Sequence, residues 1–239
     1  MKRKYYDGDF EGNEILNSMS HADRLNLYFF EQLKPFIGSK NLEIGSGIGN
    51  ISSYFVSEGK NITLSEINPE YRKVLTQRFD KSEIVNIDLN NKNYAQDYAK
   101  LKNHFDLVYA FNVIEHIEDD ILALRIINFL TKKDGHIVIL VPAYSFLFNH
   151  FDKILGHFRR YTKYQLIKSF PNETINVKAY YLNFLGIFAW YLFGKILKRK
   201  TINESNMKLY NIIIPIVKFF DFIFLNKIGL STIAINKKI

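Results

Sequence analysis

Residues 42–50, with the sequence LEIGSGIGN, have the residue types and spacing that best fit a chemical role. Glycines at 45, 47 and 49 permit positive φ and let a ligand approach the backbone closely. A helix that begins just after such a loop presents free backbone N–H groups to that ligand. The spacing is G-x-G-x-G, so it differs both from the G-x-G-x-x-G of dinucleotide-binding proteins and from a phosphate-binding P-loop. An ordinary strand-to-helix turn without a ligand remains the alternative.

Polar side chains follow the next three predicted strands, each at the point where the strand ends. Glu66 ends the second strand, 21 residues after Gly45, close to the spacing of about 20 residues expected for an acid that binds ribose hydroxyls. Asp88 ends the third strand, where a carboxylate can accept from an adenine amino group, and Asn112 follows the fourth. Any one of these could be a solvated surface residue. Because open α/β sheets bind ligands at the carboxyl ends of their strands, we expect them to line one site.

The elements that must position these residues alternate between short β-branched runs and longer helical runs, which is typical of α/β proteins with a parallel sheet. Strands are predicted at 41–45, 61–66, 83–87, 105–111, 136–141, 176–182 and 230–236. Helices are predicted at 20–36, with Ser20 as the cap, and at 49–58, 69–79, 92–101 and 117–131. The last helix is expected to end with Lys132 and Lys133 in its final turn. Residues 142–161 are predicted to form a loop or short helix.

These residues together resemble the class I S-adenosylmethionine-dependent methyltransferases, over about residues 20–182 and the last predicted strand. LEIGSGIGN is similar to the family's E/D-x-G-x-G-x-G loop, and FDLVYAFNVIEHIEDD at 105–120 to its fourth-strand motif. The resemblance implies a Rossmann-like, mostly parallel seven-stranded sheet with a reversed last strand, helices on both faces and a helical insertion before that strand. Residues 141–162 and 183–190 also resemble a bacterial subgroup often encoded beside glycosyltransferase and polysaccharide genes.

The resemblance further implies which residues bind S-adenosylmethionine and its product S-adenosylhomocysteine. The first two loop glycines and the serine between them would line the methionine part, and Glu66 would hold both ribose hydroxyls. Asp88 and Leu89 would flank the adenine, and Asn112 would lie near the sulfonium. The complete predicted cofactor-binding set is Glu43, Gly45, Ser46, Gly47, Gly49, Glu66, Ile67, Asp88, Leu89 and Asn112.

Candidate catalytic residues cluster in HFDKILGHFRRYT at 150–162, after the fifth strand. Methyl transfer from a sulfonium is an in-line displacement, so positioning supplies much of the acceleration, and only a hydroxyl or protonated amine acceptor needs a base. His157 is the first choice as base or acceptor-orienting group, and Tyr161 and Arg160 as groups that bind a polar acceptor. Alternatively, these side chains interlock to hold the loop. No metal site is predicted, since no histidine pair has H-x-x-x-H spacing, and His116 is expected to pack or cap.

The basic charge of the chain is concentrated at one end. Residues 184–239 hold nine basic and two acidic side chains, a net +7 of the total +8. Two apolar-basic helices are predicted within 184–228, with Pro215 starting or kinking the second. The longest apolar run there has 11 residues, whereas a bilayer span needs about 18–20. This segment therefore fits an anionic membrane surface, packing on the core, or a homodimer interface. Nucleic acid is less favoured, since AFNV replaces the D/N-P-P-Y/F typical of base methyltransferases.

Composition excludes several classes of protein. The absence of cysteine excludes disulfide scaffolds, cysteine-ligated zinc, iron–sulfur clusters and thiol nucleophiles. A content of 47% hydrophobic and 23% charged residues excludes a disordered chain. Because the first twenty residues hold no apolar run of signal-peptide length, a cytoplasmic protein is predicted, with peripheral attachment to the inner face of the membrane as an option.

The sequence thus predicts a methyltransferase core at 1–183, a helical insertion at 184–228 and the last core strand at 229–239. The expected reaction moves a methyl group from S-adenosylmethionine to oxygen or nitrogen of a small-molecule, sugar or lipid-linked acceptor. An RNA methyltransferase and a non-catalytic, cofactor-binding scaffold subunit are the alternatives.

Overall fold

A seven-stranded sheet forms the centre of the computed structural model, which describes residues 22–197 and 204–239. Its strands are β1 (Asn41–Ile44), β2 (Thr63–Ser65), β3 (Ile84–Val85), β4 (Phe105–Phe111), β5 (Thr131–Pro142), β6 (Thr174–Leu182) and β7 (Ser231–Lys238). They are arranged in the order β3-β2-β1-β4-β5-β7-β6. The first five strands pair in parallel, and β7 runs antiparallel to both of its neighbours. The predicted Rossmann-like sheet with a reversed last strand is confirmed.

Helices cover both faces of this sheet. They are α1 (Asp23–Leu33), α2 (Ser52–Ser57), α3 (Pro69–Arg78), α4 (Tyr94–Asp97), α5 (Asp120–Leu130), α6 (His150–Ile154), α7 (Lys163–Ser169), α8 (Phe184–Trp190) and α9 (Glu204–Ile223). Successive side chains of a strand point to opposite faces. In β4, Leu107 and Tyr109 accordingly pack with α1 and α2, whereas Val108 and Ala110 pack with α5 and α7.

The boundary between α5 and β5 differs from the prediction. The helix ends at Leu130, and Thr131 already belongs to the strand, where it pairs with Phe105. Lys132 forms an ion pair with Asp106 at 2.6 Å instead of facing the carbonyl end of the helix. The prediction that two lysines close this helix was therefore wrong, because β-strand pairing and the ion pair outweigh the C-terminal charge pattern.

Four other helix predictions need smaller corrections. Helix α1 begins at Asp23 and not at position 20; the predicted cap Ser20 lies outside the described residues, so the cap stays a prediction. The first regular turn after the glycine loop starts at Ser52. The helix predicted at 92–101 is two short pieces, α4 and the 3₁₀ helix Ala99–Leu101. Pro215 lies inside α9, so it does not start the helix, and the alternative that it kinks the helix stays a prediction.

The segment between β6 and β7 contains α8, a π-helical continuation at Tyr191–Ile196, and α9. Ile214 and Val217 are buried against the core. Asp221, on the same helix, accepts hydrogen bonds from the Tyr28 hydroxyl at 2.8 Å and from the Asn183 backbone N–H at 2.6 Å. These contacts fix α9 to α1 and to the end of β6.

The opposite side of α9 carries apolar side chains at spacings of three and four residues, which places them on one helix face. We call this face the α9 stripe; its members are each at least half exposed and are Leu209, Ile212, Ile216, Phe219 and Phe222. Helices long and apolar enough to cross a membrane do not occur within 22–197 and 204–239.

Candidate active site

The glycine loop lies between β1 and α2, at the carboxyl edge of the sheet. Gly45, Gly47 and Gly49 all have positive φ, between 55° and 84°. The backbone N–H groups of Gly45 and Ser46 donate to the Ser65 carbonyl at 2.8 and 2.9 Å, which ties the loop to β2. A Cβ on Gly45 would lie 2.5 Å from the Val113 side chain. Glycine at position 45 is thus required both by the backbone conformation and by the close approach of the segment that follows β4.

Glu66 lies directly beside this loop, as the sequence predicts. Its carboxylate accepts from the Gly47 backbone N–H at 2.7 Å and from the Asn68 backbone N–H at 2.8 Å. Burial raises the pKa of Glu66 above its ordinary value. The hydrogen bonds from these backbone N–H groups offset this rise only in part. Each oxygen has a second lone pair, so the side chain is held in place and can still accept hydrogen bonds from two hydroxyl groups.

Glu43 lies underneath the loop rather than beside it. The side chain is 5% exposed and accepts a hydrogen bond from the Ser52 hydroxyl at the start of α2. Burial raises its pKa to about 8. The position joins β1 to the helix that follows the loop, and direct contact of Glu43 with a ligand stays a prediction.

The predicted adenine-side residues Asp88 and Leu89 follow β3, and the predicted cofactor-binding residue Ile67 follows β2. Asp88 is half-buried, and its carboxylate accepts from the Asn90 backbone N–H at 2.8 Å. Leu89 is buried in the core cluster that contains α5, whereas Ile67 is 37% exposed. The structure therefore brings a carboxylate and an exposed apolar side chain to the same sheet edge as Glu66.

Asn112 ends the row of polar residues along this edge. It is exposed and adopts a left-handed conformation with φ of 54°, which asparagine tolerates better than most residues. Its backbone N–H donates to the Leu140 carbonyl at 2.8 Å. The turn at Asn112 directs Val113 onto Gly45, so this turn and the glycine loop pack against each other.

The predicted catalytic segment is organised around Asp152, which is fully buried. Its carboxylate accepts from His157 Nδ1 at 2.8 Å, from Arg160 Nε at 2.7 Å and from the Asn149 backbone N–H at 2.9 Å. Although burial acts to raise the pKa of Asp152, the His157 and Arg160 contacts outweigh it and lower the pKa. An ionised carboxylate only accepts, so Nδ1 of His157 carries a proton, and in the neutral ring the lone pair is on Nε2.

Arg160 and Tyr161 direct their polar groups into the protein. Arg160 is 5% exposed and donates to the Ala143 carbonyl at 3.1 Å. Its guanidinium carbon lies 4.7 Å from the centroid of the Trp190 ring. The Tyr161 hydroxyl donates to Asp120 at 2.9 Å, and the side chain is 3% exposed. Acceptor binding by these two residues stays a prediction; the contacts themselves support the interlocking alternative.

Two further residues come next to His157 that sequence reasoning did not assign to the site. Glu115 is completely buried, and burial raises its pKa to about 7. Its Oε1 lies 4.0 Å from His157 Nε2. The ring of His116 meets that of His157 edge to face, with centroids 4.7 Å apart. Glu115 and His157 are 42 positions apart in the sequence, so a rule based on local spacing could not find this cluster. The expectation that no metal site is present relied on such a rule and did not consider these residues together.

Comparison with known proteins identifies the architecture that holds these residues. A family model described as a methyltransferase domain matches residues 20–179. The mitochondrial ubiquinone biosynthesis O-methyltransferase of Schizosaccharomyces pombe is 25% identical over 55% of this chain and 48% of its own length. The ubiquinone biosynthesis O-methyltransferase of Vibrio parahaemolyticus is 25% identical over 57% of each chain. This chain thus spans about half the length of these curated relatives.

One of the similar solved structures aligns over the full length of this chain. The geranyl diphosphate C-methyltransferase of Streptomyces coelicolor A3(2), solved with Mg²⁺, geranyl diphosphate and S-adenosyl-L-homocysteine, aligns with a TM-score of 0.63. The alignment covers 100% of this chain and 90% of that chain at 8% identity. At this level of identity the likeness concerns the fold.

Proposed function

We propose that this chain, which belongs to the methyltransferase-domain family, transfers a methyl group from S-adenosylmethionine to oxygen or nitrogen of a small-molecule, sugar or lipid-linked acceptor. The observation that carries the proposal is the contact between the glycine loop and Glu66, in which the acid is held by Gly47 and Asn68. The O-methyltransferase relatives support oxygen as the acceptor atom. No observation in the described residues favours the RNA or scaffold alternatives.

The residues at the sheet edge fit the cofactor. Gly45 is exposed and Gly47 is half-buried, whereas Ser46 is buried, so the methionine part can lie against the backbone of the two glycines. Glu66 accepts from the ribose hydroxyls with its remaining lone pairs. Asp88 and the exposed Ile67 flank the adenine, in place of the predicted pair Asp88 and Leu89, because Leu89 is buried. When bound, S-adenosylmethionine supplies a methyl group already activated by the positive charge on its sulfur.

His157 acts on the acceptor side. Asp152 fixes the ring through Nδ1, so Nε2 is the atom that orients the acceptor or takes its proton, as in other carboxylate-oriented histidines. Arg160 holds Asp152 ionised and in place, and Tyr161 fixes the end of the segment on Asp120. In this account both are positioning residues, and the catalytic group is His157.

The membrane is the partner surface that we infer for the α9 stripe. A face with five exposed apolar side chains is costly in water. The surrounding region of the chain carries a net +7, and basic residues near an anionic lipid surface each contribute about 1 kcal/mol to binding. Such a surface would place the enzyme beside a lipid or lipid-linked acceptor.

Labelled methyl transfer tests the enzymatic proposal. The protein is incubated with methyl-labelled S-adenosylmethionine and, separately, with lipid, sugar, small-molecule and RNA fractions of cells. Label in one of the first three fractions, lost in His157→Gln, is the expected result. Label in RNA alone would favour the nucleic-acid alternative. Bound S-adenosylhomocysteine without label in any fraction would favour the scaffold alternative.

A further inference from the structure

Glu115 is a buried group that the proposed methyl transfer leaves without a task. Neither of its carboxylate oxygens has a hydrogen-bond partner among the described residues, and the residue is 0% exposed. A buried carboxylate without partners costs several kcal/mol unless something compensates it. Glu115 belongs to the 3₁₀ helix Ile114–His116, and its backbone carbonyl accepts from the Phe158 backbone N–H at 2.8 Å.

Two imidazole rings lie on the side to which this carboxylate points. One ligand atom each from Glu115, His116 and His157 lies within 4.8 Å of those of the other two. Asp152 hydrogen-bonds Nδ1 of His157 at 2.8 Å, which leaves Nε2 as the coordinating atom. Metal-binding histidines almost always donate their other N–H to such a carboxylate or carbonyl. The arrangement thus contains three potential ligands and the residue that would orient one of them.

We propose that Glu115, His116 and His157 bind one divalent transition-metal ion of the zinc class. Two imidazoles and one carboxylate form the ligand set of many catalytic zinc sites, in which a fourth position stays open. A bound cation would pair with both orphaned oxygens of Glu115, since they lack other partners. The neighbouring charge is balanced, because Asp152 is already paired with Arg160 at 2.7 Å.

The consequence for catalysis rests on the proposed function. An acceptor hydroxyl at the open position would be polarised, so its oxygen would be a better nucleophile at neutral pH. Its bond to the methyl carbon forms as the carbon–sulfur bond breaks, its proton leaves to water, and S-adenosylhomocysteine is released. In the ion-bound enzyme His157 is a ligand, so it no longer takes the proton directly.

Metal binding is measured on chelator-treated full-length protein. Zn²⁺ is titrated by calorimetry and Co²⁺ by visible absorption, whose intensity reports low-coordinate sites. We expect one ion per chain, and at least about a tenfold loss of affinity in Glu115→Gln and His116→Gln. The matched control is His104→Gln, since His104 lies at the opposite edge of the sheet, beside Lys40. Equal Zn²⁺ affinity in the intact protein and in Glu115→Gln would overturn the proposal, as would binding lost only in the control.

S-adenosylhomocysteine binding by each variant separates this inference from the function on which it rests. We expect unchanged S-adenosylhomocysteine affinity in Glu115→Gln, because this residue is not in the proposed cofactor site. Retained cofactor binding without a Zn²⁺ site removes the metal proposal alone. A Zn²⁺ site without cofactor binding removes the methyltransferase proposal and leaves the metal site standing.

Discussion

Substituting Gly45 with alanine tests how tightly the glycine loop is constrained. Its φ of +72° is unfavourable for alanine, at a cost of about 1–2 kcal/mol. The new Cβ would also lie 2.5 Å from Val113 Cγ2, well inside the usual contact distance of about 3.5–4.0 Å between carbons. Overpacking of this kind typically costs about 1–3 kcal/mol. The sum predicts a loss of about 2–5 kcal/mol of unfolding free energy, unless the loop moves.

The matched control is Gly59→Ala. Gly59 has a φ of +67°, and no described atom lies within 4 Å of its added Cβ. Only the backbone term then applies, so we expect a loss of about 1–2 kcal/mol. Both variants are compared by urea unfolding, and the Val113→Ala background provides a double-mutant cycle. In the Val113→Ala background, Gly45→Ala should cost about 1–3 kcal/mol less unfolding free energy than in the intact protein, because Val113→Ala removes the collision.

Cofactor affinity completes this test. If the loop moves to relieve 1–3 kcal/mol of strain, S-adenosylhomocysteine binding to the original loop should weaken by about 5- to 150-fold in Gly45→Ala. Gly59→Ala should bind as the intact protein does. The reasoning would be refuted by a Gly45→Ala protein as stable as Gly59→Ala with unchanged affinity.

Three other predictions concern separate parts of the molecule. His157→Gln should lower kcat by about 100-fold or more if a proton is transferred, whereas its S-adenosylhomocysteine affinity should not change. Steady-state kinetics compare this variant with Tyr161→Phe. If both variants lost the same factor in kcat, the assignment of His157 as the catalytic group would be contradicted. The pKa of Glu43 is raised to about 8, so its neutral form stabilises the fold below the ordinary pKa of about 4.3, and this contribution is lost as pH rises towards 8. Glu43→Gln should therefore unfold at higher urea than the intact protein at pH 9, with a smaller difference at pH 5, whereas a pH-independent difference would count against a neutral Glu43. The double variant Phe219→Glu/Phe222→Glu should no longer float with vesicles that contain phosphatidylglycerol. The control Ile121→Glu, which changes an exposed apolar residue on α5, should still float. Intact protein that fails to float but sediments as a dimer would show that the α9 stripe is a subunit interface.

The order of the elements could be predicted from the sequence because most strands contain a short apolar run, such as Phe105–Phe111 in β4, bounded by polar turns. Glu66 and Asn112 follow β2 and β4 as expected, since parallel strands bring their carboxyl ends to one edge. The end of α5 could not be predicted, because the pairing of Thr131 with Phe105 depends on a neighbouring strand. Local charge patterns carry no information about such a partner.

Less of the acceptor side could be predicted from the sequence, because its arrangement also depends on tertiary contacts. His157 was singled out by its place after β5, yet Asp152, which fixes its ring, and Glu115, which faces Nε2, derive their roles from tertiary contacts. Arg160 and Tyr161 looked suited to an acceptor because of their side-chain types. Their burial and internal partners become visible only when α5 and the segment after β5 are packed together.

Calorimetric titration with S-adenosylhomocysteine tests the central claim most directly. The intact protein is compared with Glu66→Ala and with the control Glu70→Ala. Glu70 is an exposed acid four residues after Glu66, and its ion pair with Lys73 lies at the surface. We predict micromolar binding that Glu66→Ala abolishes and Glu70→Ala leaves unchanged. Absence of binding by the intact, folded protein, or equal binding by all three proteins, would contradict the assignment of this sheet edge as the cofactor site.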